Sequence, residues 1–237
     1  MNKLDELKQK LDSLADPINQ QQTQGFFKTG KGDYAEGDIF LGIRTPMLRK
    51  LAAQYQDLSL DDAEQLLQSP IHEQRSIALM LWVAQFPKAD KTQQQRLFER
   101  YLQNTKFINN WDLVDISAPT LVGQYLLEKE REILYKLVAS ESLWERRIAV
   151  VATLTFIRHQ QFEDILKFAK LLLNEPHDLI HKAVGWMLRE VGKQHLSVLK
   201  AFIDEYDTQL PRTTLRYAIE YFDEEQRQFH LKRKKVC

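Results

Sequence analysis

The chain has 237 residues, enough to bury a sizeable core, and its 33 basic and 33 acidic side chains cancel. Zero net charge excludes a general electrostatic attraction to nucleic acid, although a neutral protein can still carry one basic face. The sequence has no apolar run of membrane-spanning length and no secretory signal, which predicts a cytoplasmic protein without membrane contact. The single cysteine, Cys237, excludes internal disulfides and a cysteine-rich metal site.

Apolar residues recur at spacings of three and four along nearly the whole chain, beginning with the amphipathic stretch MNKLDELKQKLDSLADP. This period predicts an all-α protein. One segment, residues 28–46, breaks the pattern and is predicted to be a long glycine-rich loop. Thr45 is predicted to cap the helix that follows, with Pro46 at its first position.

A repeat becomes visible when the later helices are aligned on a small residue. Successive alanines of this column are 31 to 40 residues apart, and the aligned segments are Arg75–Ala78, Asp115–Ala118, Arg146–Ala149, Ile180–Ala183 and Leu215–Ala218. Each segment begins a helix after a polar or proline break and follows another amphipathic helix. This arrangement is typical of a HEAT- or armadillo-like α-solenoid, whose second helices line a concave groove. We predict one such domain over residues 1–237, with a compact helical bundle as the alternative.

The stretch NNWDLVDISAP, residues 109–119, places an acid on the same helical face as an indole. Trp111 precedes Asp115 by four residues, and both share their face with Val114 and Ala118. Pro119 cannot donate to the carbonyl of residue 115, which predicts a kink. Asp115 is therefore either a buried acid paired with an arginine of the next repeat or a carboxylate that faces a groove.

Other aligned positions are aromatic or cationic, which predicts a mixed surface in the same groove. Trp111 and Trp144 begin their helices, and Trp186 follows Ala183 by three residues. In three repeats, the second position of the aligned segment holds a cationic or titratable side chain. These residues are Arg147, His181 and Arg216. Taken singly, a tryptophan is more often a core residue, and the basic tail of residues 230–237 is more often a solvated chain end.

Several other chemistries are excluded by their missing motifs. The stretch GKGDYAEGD has neither phosphate-loop nor dinucleotide-binding spacing. No serine nucleophile motif is present, and the only cysteine is terminal. The pair His177 and His181 lacks the glutamate of a zinc-protease helix, so no metal site is expected.

The chain resembles the AlkD-like DNA alkylation repair family, which are DNA glycosylases built from HEAT-like repeats. The resemblance is carried in order by FLGIRTPMLRKLA (40–52), WDLVDISAPTLVGQYL (111–126), LWERRIAVVATL (143–154) and KAVGWMLREVGK (182–193). It implies hydrolysis of the N-glycosidic bond of cationic N3-methyladenine and N7-methylguanine in duplex DNA, without drawing the base into a pocket. We also predict a monomer of the bacterial cytoplasm or nucleoid that needs neither cofactor nor metal.

Matched by position, the resemblance implies roles for individual residues. Asp115, the second acid of WDLVD, matches the family's catalytic aspartate, and Trp111 and Trp186 match the tryptophans that contact the DNA backbone at the lesion. Arg147 matches an arginine beside them. Further DNA contacts are expected from Arg146, Lys182, Arg44 and Phe27. GFFK places Phe26 or Phe27 where some members have a tyrosine.

The implied reaction fits these residue types. A purine alkylated at N3 or N7 is positively charged and leaves without a general acid, so one carboxylate can stabilise the developing sugar cation and place a water. Aromatic faces favour the same charge. The alternative function is a non-catalytic α-solenoid that binds DNA structures or a protein partner, because the family includes members that bind DNA without removing bases.

Overall fold

The computed structural model describes residues 2–233. Within this range the chain forms fourteen α-helices and no β-strand, which confirms the all-α prediction. Ile39 and Ile71 make a single isolated β-bridge. Residues 234–237 of the predicted basic tail lie outside the described residues. None of the described helices is both long and apolar enough to cross a membrane.

The helices group into two compact units, divided between Ser117 and Ala118. The first unit contains α1 (Lys3–Ser13), α2 (Pro17–Phe27), α3 (Thr45–Gln54), α4 (Leu60–Leu67), α5 (His72–Gln85), α6 (Lys91–Gln103) and α7 (Trp111–Ala118). The second contains α8 (Glu132–Val138), α9 (Leu143–Arg158), α10 (Glu163–Leu171), α11 (Asp178–Gln194), α12 (Leu196–Tyr206), α13 (Arg212–Ala218) and α14 (Glu224–Lys232). A single domain over residues 1–237 stays a prediction.

The core of the first unit is built around α5. This helix packs against α3 and α4, and every residue from His72 to Leu79 is buried. A helix buried on all sides needs partners for its polar side chains as well as its apolar ones. Because the first four residues of α5 are His72, Glu73, Gln74 and Arg75, the start of this helix is a polar cluster inside the core.

In the second unit, the aligned helices pack against one another in chain order. Helix α9 packs on α8, α10 and α11, and α11 in turn packs on α12 and α13. The five alanines of the repeat column are at most 1% exposed: Ala78, Ala118, Ala149, Ala183 and Ala218. Burial of a small residue at each repeat agrees with the sequence alignment, since small side chains let neighbouring helices approach closely.

Pro119 changes the winding of its helix from α to π. Helix α7 ends at Ala118, and residues Pro119–Gln124 form a π-helical segment, where the sequence predicted a kink. A proline removes one backbone donor, and wider π winding is a recognised way to absorb such an interruption. The Thr155 hydroxyl donates to the Pro119 carbonyl at 2.5 Å. A Cβ on Gly123 would lie 2.5 Å from the Ala152 carbonyl oxygen, so this segment lies close against α9.

The predicted loop lies between α2 and α3, and its last residues are firmly held. Glu73, 2% exposed, accepts hydrogen bonds from the backbone amides of Leu41 (2.9 Å), Gly42 (2.8 Å) and Ile43 (3.2 Å). The Gln20 side chain donates to the Phe40 carbonyl at 2.6 Å. Buried amides outside regular structure need such partners, so Glu73 lets this loop enter the core.

The N-cap predicted at Thr45 is wrong by one residue. Helix α3 begins at Thr45, and Arg44 is the N-cap without a side-chain capping bond. Pro46 is therefore the second helical residue, and it still lies in the first turn, where its missing N–H costs no helical hydrogen bond.

Gly42 is the position where the loop tolerates no side chain, and Gly42→Ala tests this. Its φ is +81°, and a Cβ there would lie 2.4 Å from the Asp16 carbonyl oxygen. We expect the substitution to lower the free energy of unfolding by ~2–4 kcal/mol, measured by urea denaturation. The matched control is Gly25→Ala in α2, where a Cβ meets no atom within 4 Å and stability should rise by up to ~1 kcal/mol. Equal urea midpoints for the two variants would contradict the conclusion that position 42 tolerates no side chain.

Candidate functional site

The eight residues predicted for the site divide equally between the two units. The first unit carries Asp115, Trp111, Phe27 and Arg44, and the second carries Trp186, Lys182, Arg146 and Arg147.

Asp115 is half-buried and lines a cavity of about 520 Å³ between α3, α5 and α7. The walls are mainly apolar and small, and the lining residues are Arg49, Ala52, Ala53, Gln56, Met80, Val83, Ala84 and Ile116. Burial raises the pKa of the Tyr101 phenol, and the charge of Asp115 raises it further. A carboxylate beside apolar walls interacts more strongly with an approaching cation than one in open water does.

Trp111 belongs to an aromatic stack. Its ring stacks on Phe27 at 5.2 Å between centroids and 16° between planes, and Phe27 stacks on Phe40 at 5.1 Å. Phe26, 66% exposed, meets the edge of Trp111 at 5.8 Å. The structure therefore brings together Phe27 and Trp111, two residues predicted separately for the site, and leaves Phe26 as the more exposed of the two neighbouring phenylalanine rings.

A buried charge cluster at the start of α7 is the main feature that sequence reasoning missed. The His72 ring bonds to Asp112 through Nε2 at 2.8 Å and to Asp38 through Nδ1 at 3.4 Å. Arg75 pairs with the other oxygen of Asp38 at 2.8 Å. His72, Asp38 and Arg75 are 3%, 8% and 3% exposed. The only sequence signal was the first acid of WDLVD, because nothing local identifies partners so distant in the chain.

The charges of this cluster stabilise one another. Burial lowers the pKa of His72, but the charge of Asp112 and the hydrogen bonds to Asp112 and Asp38 outweigh it and raise the pKa to about 9. Burial raises the pKa of Asp38, but the His72 hydrogen bond and the Arg75 charge outweigh it and lower the pKa. His72 is therefore an imidazolium at neutral pH.

Arg44 and Phe27 line a second cavity of the first unit. This cavity has a volume of about 350 Å³ and is also lined by Phe40, His72 and Asp112. Arg44 is exposed at the start of α3. The first unit thus offers an exposed cation and a half-buried aromatic ring beside the charge cluster.

In the second unit, Lys182 and Trp186 lie four residues apart on α11 and share one helical face. Both are half-buried, and Lys182 pairs with Asp178 at 2.7 Å. The same face continues to Arg189 and Lys193, whose cationic groups lie 5.9 Å and 5.2 Å from the Tyr221 ring. Arg189 and Lys193 were not singled out from the sequence, although both stand in the quoted stretch KAVGWMLREVGK.

Arg146 and Arg147 are engaged with the protein itself. Arg146 donates to the Ser140 carbonyl at 2.8 Å and pairs with Glu175 at 2.9 Å. Arg147, 5% exposed, donates to the Leu179 carbonyl at 2.5 Å. A phosphate contact by either guanidinium would compete with these bonds, so both side chains serve packing in this structure.

Two of three comparisons with known proteins found a match to the chain. A family model described as "DNA alkylation repair enzyme" matches residues 7–222. Among solved structures, a predicted DNA alkylation repair enzyme from Enterococcus faecalis has a TM-score of 0.69 at 18% identity, covering 88% of this chain and 97% of its own. At this identity the likeness shows a shared fold. The search of curated proteins gave no match to this chain.

The charge cluster predicts a specific pH dependence of stability. The folded pKa of His72 is raised from 6.5 to about 9, so its contribution is fully present below pH 6.5 and is lost as pH rises through 9. We expect the free energy of unfolding to fall by up to ~3 kcal/mol over this interval. Urea denaturation in steps from pH 6 to pH 9.5 measures the fall. The His72→Gln variant should be less stable at pH 6, and its free energy of unfolding should not change over the interval. The same dependence on pH in both proteins would contradict the raised pKa of His72.

Proposed function

The chain belongs to the DNA alkylation repair enzyme family, and from this premise we propose that it is a DNA glycosylase. It would hydrolyse the N-glycosidic bond of cationic N3-methyladenine and N7-methylguanine in duplex DNA, as the first step of base excision repair. The observation that carries the proposal is the placement of Asp115, a half-buried carboxylate at an apolar cavity, one helical turn after the stacked Trp111.

The proposed reaction needs one anion and one water. As the bond between the sugar and the base breaks, the base takes both bonding electrons, which neutralises its positive charge. The sugar carbon becomes cationic, and Asp115 stabilises it electrostatically. Water then adds to the same carbon, and its proton passes to Asp115 or to solvent. No general acid enters the scheme, because the leaving base is already activated.

The two acids of WDLVD have different roles in this proposal. Asp112 is tied to His72 at 2.8 Å, whereas Asp115 lines the cavity. Asp112 therefore supports the structure of α7, and Asp115 is the proposed catalytic residue. Trp111 supports the same cationic centre through its aromatic face.

DNA contacts are proposed for residues with accessible polar or aromatic groups in each unit: Arg44 and Phe27 in the first, Lys182 and Trp186 in the second. Arg44 is exposed and Lys182 is half-exposed, which suits phosphate binding without sequence readout. Arg146 and Arg147 are weaker candidates for direct contact because of their internal bonds. We propose a cytoplasmic monomer that needs no cofactor.

The alternative function is a non-catalytic α-solenoid that binds DNA structures or a protein segment. The glycosylase and the non-catalytic solenoid would have the same fold and could both bind DNA, so DNA binding alone does not distinguish them. Release of free base from duplex DNA containing 7-methylguanine does: the enzyme releases it, and the adaptor leaves it in place.

The Asp115→Asn variant tests catalysis, because it keeps the shape of the side chain and removes the charge. We expect single-turnover base release to fall about tenfold to a hundredfold, the loss of one electrostatic contact to the developing cation. DNA affinity should be kept, because an acid facing a polyanion does not help binding of the ground state.

The matched control is Asp112→Asn, which removes the neighbouring acid of the same motif. It should lower the melting temperature, because it leaves His72 without one of its two acidic partners. Asp115→Asn, which keeps both acidic partners of His72, should lower the melting temperature less than Asp112→Asn does. If Asp115→Asn released base normally, Asp115 would have no part in the mechanism.

Salt tests the proposed phosphate contacts. With two or more such contacts, the affinity for an undamaged duplex should fall by about tenfold or more between about 50 and 200 mM salt. Lys182→Gln should make the plot of log affinity against log salt shallower by about one unit. Lys167→Gln, an exposed lysine on α10 outside the proposed set, should leave the slope unchanged. Affinity independent of ionic strength would favour a protein partner instead.

A further inference from the structure

The first turn of α7 is fixed by contacts from two other segments of the first unit. Asp112 bonds to His72, the first residue of α5, at 2.8 Å. Just before the helix, the Asn109 amide donates to Asp38 in the loop at 3.3 Å, and the Asn110 amide lies 3.5 Å from the same carboxylate. Loop, α5 and α7 therefore meet at one buried point.

His72 also touches the aromatic stack that holds Trp111. Its ring stacks on Phe40 at 4.4 Å between centroids and 23° between planes, and it lies 5.2 Å from Phe27. Phe27 is the ring on which Trp111 stacks. The ring nitrogens of His72 thus bond to Asp38 and Asp112, while the face of the ring packs on Phe40.

The two bonds of His72 require a particular protonation state. Both ring nitrogens lie against carboxylate oxygens, which only accept hydrogen bonds. A neutral imidazole has one N–H and can donate to one acid only, whereas the imidazolium donates to both. Loss of the proton therefore breaks one of the two bonds and leaves a buried carboxylate facing an unprotonated nitrogen.

We propose that His72 is a positioning residue, which holds the first turn of α7 through Asp112 and Asp38 and so sets the Trp111 ring and the Asp115 carboxylate for base release. This proposal rests on the proposed glycosylase function for its last step. The positioning of Trp111 itself does not depend on that function and can be tested separately.

The charges around His72 come from every side of the cluster. Asp38 faces it from the loop, Asp112 from α7, and Arg75 from its own helix. Arg44 and Glu73 share the cavity that His72 lines. The two acids outweigh burial and the Arg75 charge and keep the pKa of His72 near 9, so the bridge is intact at neutral pH and is lost in mildly basic solution.

The test follows Trp111 directly. In an NMR spectrum of ¹⁵N-labelled protein, the four tryptophans give four indole N–H signals, and Trp111→Phe identifies the one to follow. Between pH 7 and pH 10 we expect the Trp111 signal to shift with a midpoint near 9, while the Trp186 signal stays constant. His72→Gln should abolish this transition. His195→Gln, an exposed histidine of the second unit, should leave it unchanged.

A second variant keeps the test decisive if His72→Gln does not fold. Asp38→Asn retains His72 and weakens the Asp38 hydrogen bond that helps to raise its pKa, so the Trp111 midpoint should move to lower pH. A Trp111 signal that is constant from pH 7 to pH 10 in the unsubstituted protein would overturn the proposal. So would the same midpoint in Asp38→Asn.

Activity provides the final step and separates the two proposals. Single-turnover base release from 7-methylguanine duplex should fall about tenfold or more in folded His72→Gln at pH 7, with DNA affinity kept. In the unsubstituted protein it should fall as pH rises through 9. Normal release in folded His72→Gln would overturn the link to catalysis. No release from the unsubstituted protein at any pH would reject the glycosylase function instead, while the Trp111 titration still tests the positioning.

Discussion

An imidazolium between two carboxylates is the interaction on which the first unit depends. His72 donates toward Asp38 and Asp112, and Arg75 supplies a second positive charge to Asp38. Buried charges are costly unless each is paired with an opposite charge, and here two cations pair with two acids. The cluster joins a loop without regular structure to two helices that are far from it in sequence. Apolar packing alone would hold these segments together with less precise register, because it has no preferred direction.

In three of the aligned helices, a polar side chain near the helix start bonds to the turn that precedes the helix. Arg75 donates to the carbonyl of Ser69, and Arg146 donates to the carbonyl of Ser140, six residues earlier in each case. His181 bonds the carbonyl of Glu175 in the same way. These side chains close the turn that precedes each helix, where backbone carbonyls have no helical partner. A cation recurring in a repeat alignment is therefore weak support for a binding surface, since the repeat itself needs it.

The all-α fold and the position of the small residues could be predicted because they depend on local periodicity. The three- and four-residue spacing predicts helices, and the alanine column predicts where they pack closely. The loop over residues 28–46 could be predicted from its glycines, but its anchor, Glu73, could not. From the sequence, an acid in the first turn of a helix is expected to be a surface residue that interacts favourably with the helix dipole. Only the tertiary structure shows that it receives three loop amides instead.

The candidate site was predicted in part for the same reason. Trp111, Asp115 and Phe27 could be named from motifs, and the structure brings two of them into one aromatic stack. The partners of Asp112 could not be named, because pairing across the chain leaves no mark in local sequence. The winding change at Pro119 was expected as a kink, since missing one donor predicts an interruption but not how the backbone resolves it.

The two acids of WDLVD have different surroundings, and the proposed function gives them different roles. Asp112 and Asp115 are three residues apart on one helix, so their side chains project from the same side of it. Their surroundings nevertheless differ. Asp112 is half-buried, and its charge is paired with the His72 ring. Asp115 lines a cavity whose walls are mainly small and apolar, where an approaching cation would interact with its charge more strongly than in open water. In the proposed reaction an already cationic base leaves and the sugar becomes cationic, so a carboxylate is needed beside the sugar, which is the role proposed for Asp115. An acid with the role of Asp112 is needed as well, because a carboxylate stabilises a transition state only if its helix holds it in place when the charge develops.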